Sequence, residues 1–182
     1  MDVIVKLVAY GEKAFALQYG LFSLWEKKVT SIRDIAKASG LSIGPFEDGQ
    51  IERVGELEAE RFVEVEILSR HGVCAEFVKE LCEKYKVSYA YSALSFEGEL
   101  FEVVGDPEGD IFSDNFLLDV WDMDSELQFD EGMDCVHEFF ETENDVVYYL
   151  KTHTNEAHAS FLLWKERIEK LECGILILCR RQ

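Results

Sequence analysis

Between Lys86 and Lys151 the chain contains no lysine or arginine, yet residues 87–150 carry 18 aspartates and glutamates. The rest of the sequence holds 19 acidic and 18 basic side chains, so this one stretch supplies all but one unit of the net charge of −19. Like charges gathered into a compact state repel one another, and such a stretch folds only if something stronger draws it in. That something is written between the carboxylates. Phe112, Phe116, Leu117, Leu118, Val120, Trp121, Phe129, Phe139, Phe140, Val146, Val147 and Leu150 alternate with the acids. Large apolar residues need a core to enter, so the pattern describes a folded acidic surface rather than a solvated tail.

The whole chain supports that reading, because 48% apolar and 13% aromatic residues are enough for a substantial core and argue against disorder. A length of 182 residues suits one domain or two small, closely packed ones. Met1-Asp2-Val3 lacks the basic opening of a secretory leader. The longest charge-free apolar segment near it, Ala14 to Trp25, has 12 residues, short of the roughly 20 that span a bilayer. Five cysteines at irregular spacing read as reduced thiols. A soluble cytoplasmic protein without a membrane segment is expected.

Along the chain, Val3 to Tyr10 reads as a strand, followed by helices over about residues 12–28 and 31–38 and a loop over 41–50. Val63, Val65 and Ile67 alternate with Glu64 and Glu66 as in a half-buried strand. Cys74, Phe77, Val78, Leu81, Cys82 and Tyr85 then mark one face of a helix. Strands follow at 87–94 and 100–104, short helices near 114–121 and 134–151, a helix over about 155–172, and a short strand at Ile175 to Leu178. The expected fold class is α+β: a ferredoxin-like βαββαβ core over 61–182 with an acidic helical insertion. Residues 1–60 are a βα extension of that sheet or a small subdomain, two arrangements that the pattern leaves open.

The segment Phe77-Val78-Lys79-Glu80-Leu81-Cys82-Glu83-Lys84-Tyr85, the aromatic-rich strand after it and Phe96-Glu97-Gly98 resemble the ferredoxin-like domains of small phage and plasmid proteins. The resemblance leaves out the acidic insertion and includes no catalytic motif, so it implies a fold and no activity.

Tests for chemistry fail one after another. Asp122, Asp124, Glu126, Gln128 and Asp130 alternate as calcium ligands do, but an EF-hand needs glycine at its sixth position and glutamate at its twelfth. Here those positions are Leu127 and Met133. The four histidines and five cysteines include no CxxC pair. His137-Glu138 opens a metalloprotease-like pattern that ends in Glu141 instead of histidine, and no GxSxG elbow, P-loop or GxGxxG occurs. No enzyme activity and no cofactor are expected, and a looser divalent-cation site is the minor alternative. Direct binding to nucleic acid is disfavoured, since it draws on lysine and arginine that the acidic stretch lacks.

The leading expectation is therefore a protein-binding inhibitor or nucleic-acid mimic, whose acidic face occupies a basic protein such as a nuclease. Duplex DNA presents one charge per about 1.7 Å, so 18 carboxylates on one face of a small globule would approach its charge density. In acidic character the chain is similar to phage anti-restriction and anti-CRISPR inhibitors and to nuclease-immunity proteins. The expected partner-binding residues are Asp110, Asp114, Asp119, Trp121, Asp122, Asp124, Glu126, Asp130 and Glu131. Phe116, Phe129 and Met123 are further apolar anchors beside Trp121, although the ordinary reading of Trp121 is a core residue and that of any single aspartate a solvated one. The alternative is a ferredoxin-like accessory protein whose charge only solvates it and which binds a protein or pairs with its own copy through a sheet edge.

Overall fold

The computed structural model describes residues 1–121, 126–171 and 174–181. They form two compact units, Met1–Phe112 and Ser113–Arg181.

The first unit is built around β1 (Val3–Tyr10), whose alternate residues Val3, Val5, Leu7 and Ala9 are fully buried. Helices α1 (Ala14–Glu26) and α2 (Ile32–Ser39) follow, then strands β2 (Gly49–Val54) and β3 (Phe62–Ser69). Helix α3 (Ala75–Tyr85) leads to β4 (Ser88–Ser95) and β5 (Leu100–Val104). The five strands make one antiparallel sheet in the order β2-β3-β1-β4-β5. Residues 1–60 are thus no separate piece: β1 is the central strand and β2 one edge. Leu17 and Leu21 from α1, Ile32 and Ile35 from α2, and Phe77 and Leu81 from α3 share a core with the inward residues of β1 and β3. The other face of the sheet carries Ile4 and Phe62, 43% and 41% exposed.

Local chemistry fixes the helix ends. The Ser31 hydroxyl accepts the Asp34 N–H, and Gly40 closes α2 in the left-handed region. The first turn of α3 is capped from a distance, because the Glu47 carboxylate accepts the N–H groups of Glu76 and Phe77 at 2.7 and 2.6 Å. After β5, the buried Asp106 carboxylate accepts the N–H of Phe112 at 2.8 Å and that of Ile111 at 3.2 Å. Gly105 precedes it at φ +80°, where an added Cβ would lie 2.6 Å from the Tyr89 carbonyl oxygen.

The second unit begins with β6 (Phe116–Val120), which lies between β7 (Val136–Phe140) and β8 (Ile175–Cys179) in an antiparallel sheet. Helices α4 (Glu143–His153) and α5 (Phe161–Glu169) supply Val146, Leu150, Trp164 and Ile168 to a core shared with Leu118, Val120 and Val136. Thr142 and Asp145 form a reciprocal capping box at the start of α4.

Three expectations are corrected here. Residues 114–121, expected as a helix, hold strand β6, and 134–151 divide into strand β7 and helix α4. The helix expected from about 155 begins at Phe161, where the Ser160 hydroxyl accepts the capping N–H of Leu163. The C-terminal strand β8 joins β6 and β7, not the sheet that contains β3, β4 and β5.

Candidate functional site

The acidic stretch is one run in sequence and two populations in space. Glu97, Glu99, Glu102, Asp106, Glu108 and Asp110 belong to the first unit, and the other 12 of the 18 acids belong to the second. Residues 113–181 hold 16 acidic and 6 basic side chains, a net of −10, and the remaining 21 acidic and 12 basic residues give the first unit −9. Asp106 is 8% exposed and closes its own loop through backbone N–H groups, so it adds nothing to an outward face.

Of the residues expected to bind a partner, Asp110 is exposed in the first unit, and Asp122 and Asp124, with Met123, lie outside the described residues. The remaining six lie in the second unit but do not share one side. Leu118 and Val120 point from β6 into the helix-covered core, so Asp119 between them points to the opposite face. There it meets His137, its direct cross-strand neighbour on β7, with Nδ1 and Oδ1 3.1 Å apart. Asp130 is instead held at the end of α4: His153 Nδ1 lies 3.0 Å from its carboxylate, and its N–H donates to the His153 carbonyl. Glu126 lies 3.6 Å from the Arg167 guanidinium of α5. Asp114 is half-buried, whereas Glu131 is exposed.

Of the expected apolar anchors, Trp121 is 59% exposed immediately after β6, so it is no core residue. Phe116 and Phe129 pack against the core of the second unit, with the Phe116 ring 5.1 Å from that of Phe161. They are spent on folding. Two exposed aromatics were not foreseen: Phe139 on β7, 39% exposed, and Tyr148 on α4, 73% exposed. Strand alternation would have pointed to Phe139, since Val136 on the same strand faces the core three positions earlier.

The second unit also exposes a run of negative charge that has no cation partner among the described residues. Glu131, Asp134, Glu138, Glu141 and Glu143 run from the loop before β7, along β7, to the first turn of α4, and all are exposed. Among the described residues, none of these five has a cation within ion-pair distance. β7 is also an edge strand, paired on one side with β6 in this sheet. The ordered ion pairs lie elsewhere. Arg167 grips Glu156 through Nε and Nη2 at 2.9 and 3.1 Å, and His158 Nε2 lies 2.9 Å from the same carboxylate. The Arg167 guanidinium and, less strongly, His158 hold the Glu156 carboxyl below its ordinary value of 4.5, against the opposing effect of burial.

In the first unit, burial pushes the thiols of Cys74 and Cys82 up to about 12, far from the thiolate that reacts. Among the described residues, no group of three His, Cys, Asp or Glu side chains is placed to hold a metal ion, and no helix is long and apolar enough to cross a membrane. Compared with known proteins, the chain matches no protein family, no curated protein and no solved structure.

Proposed function

We propose that this chain is a non-enzymatic binding protein whose second unit engages a basic, nucleic-acid-binding protein through edge strand β7 and its acidic flanks. The observation that carries this reading is the run Glu131, Asp134, Glu138, Glu141 and Glu143, exposed and without a cation partner among the described residues, along the edge strand that also carries the exposed ring of Phe139. Carboxylates on a folded frame steer a basic cleft at high rate, and nearby aromatics supply the contact energy that charge alone does not. The inhibitor or nucleic-acid-mimic reading thereby narrows from 18 carboxylates on one face to a smaller acidic edge.

The succession β1-α1/α2-β2-β3-α3-β4, with strand order β2-β3-β1-β4 and every pair antiparallel, is the connectivity of a ferredoxin-like core to which β5 adds an edge. It supports that core in residues 1–95, upstream of the span expected from the sequence.

The accessory-protein reading keeps one observation in its favour. Asp106, Asp119 and Asp145 each serve a local bond, and the acids are divided between two units. The deciding experiment compares wild type with a variant carrying Glu131→Gln, Asp134→Asn, Glu138→Gln and Glu141→Gln. Binding to a panel of purified nucleases and DNA-binding proteins is measured across a salt series, with duplex DNA as competitor. Salt-sensitive binding that DNA displaces and the variant loses supports the proposal. Equal binding by both proteins, or none, returns the acidic edge to solvation.

A further inference from the structure

Helix α1 carries an uncharged, aromatic outward surface. From Ala14 to Trp25 it has no charged residue, in a protein of which 30% is charged. Ala14, Leu17 and Leu21 face the core, and the opposite side presents Phe15 and Tyr19, 59% and 65% exposed and stacked 6.2 Å apart. Phe22 and Trp25, with rings 6.0 Å apart, flank this face half-buried and pack against the core of the first unit. The charges return only at the ends, with Glu12 and Lys13 before the helix and Glu26, Lys27 and Lys28 at its close. All five are exposed, and none forms an ion pair among the described residues.

We infer that this face of α1 is the contact between two copies of the chain, related by a two-fold axis that sets the helices antiparallel. The occupant follows from charge. A basic partner is drawn to carboxylates, which the centre of this face lacks, and an anionic membrane surface repels a molecule of net charge −19. A second copy is repelled by the same charge at most other surfaces, so a neutral aromatic face is where it approaches at least cost. A two-fold contact places the same patch on both partners, and uncharged rings and small side chains complement themselves. The ends then choose the direction. Antiparallel, the balanced Glu12-Lys13 pair of one copy meets Glu26-Lys27-Lys28 of the other, so that Glu12 comes within reach of Lys27. Parallel, the Lys27-Lys28 pair meets its own image and the helix dipoles align unfavourably. A helix of 13 residues is about 20 Å long, so the contact falls at the small end of stable interfaces and a micromolar dissociation constant is expected.

Sedimentation equilibrium of the full chain over a concentration series tests this, with circular dichroism to verify that each variant is folded. Wild type moves from 20.9 kDa towards twice that mass as it approaches about 100 μM. Tyr19→Glu weakens the dimer more than about tenfold, because it buries an unpaired carboxylate on both sides of the axis. Glu12→Lys weakens it several-fold, and adding Lys27→Glu restores it. A wild type that stays monomeric at that concentration overturns the inference, whatever else the aromatic face then binds. So does a dimer indifferent to Tyr19→Glu and Phe15→Glu. A double charge exchange that fails to restore association overturns the antiparallel arrangement.

Discussion

The side chains that could be mistaken for a site are mostly those that hold the chain in place. Glu47 reaches across from a loop to close the first turn of α3, and burial raises its carboxyl above the ordinary value even though two N–H groups favour its charge. Arg167 is the clearer case, because its planar fork matches the Glu156 carboxylate and both side chains are less than a quarter exposed. The carboxyl is lowered in the folded state, so the stability it contributes is complete above its ordinary value of 4.5 and is lost as pH falls through its folded value. Arg167→Met is expected to cost about 1–3 kcal/mol near neutral pH, the worth of a hydrogen bond between charged groups. That cost should shrink towards zero in acid, as urea unfolding at pH 7 and below pH 3 would record. An equal cost at both pH values would mean that Arg167 acts through packing alone.

At the level of elements, the first unit was legible because its strands are one-sided. Val63, Val65 and Ile67 lie on the core face and Glu64 and Glu66 on the other, so a period of two stands out. Strand β6 was not legible for the opposite reason. Leu117 and Leu118 are both fully buried on successive positions, and a five-residue strand whose only polar residue is Asp119 shows no clean period by which to tell strand from helix. Strand β2 was hidden by its first residues: Gly49 reads as a turn, yet here it sits in the strand, where an added Cβ would lie 2.3 Å from the Leu68 carbonyl oxygen. The acidic edge was half legible. Composition located the charge, but only the strand assignment tells which acids and which rings of 130–145 face outward. Position in the sheet predicts energetics too. Leu118 and Glu138 are direct cross-strand neighbours, one buried in the central strand and the other exposed at the edge. Leu118→Ala should cost about 2–5 kcal/mol, as core truncations do, and Glu138→Ala no more than about 0.5 kcal/mol, as ordinary surface changes do. Denaturant midpoints of the two variants check the contrast, and similar losses would contradict the assigned positions.

For the molecule as a whole, a net charge of −19 is a standing cost of compactness that dissolved ions reduce. Raising ionic strength from about 0.01 M to about 1 M shortens the screening length from roughly 30 to roughly 3 Å. The relief should raise the melting temperature by about 2–4 °C for each kcal/mol of repulsion removed. Differential scanning calorimetry in sodium chloride would measure it, and a melting temperature independent of salt would mean that the acids are spaced too widely to interact. The joint between the two compact units, after Phe112, falls inside the stretch that lacks lysine and arginine. Trypsin cuts only after those two residues, so it releases Val87 to Lys151 as a single peptide and cannot part the units at their joint, however open that joint is. Lysine-directed cross-linkers, acetylation and ubiquitin attachment find no target there either. A protease that cuts after glutamate is the reagent that can probe it, with Glu108 just before the joint and Glu126 the next cleavage point beyond it.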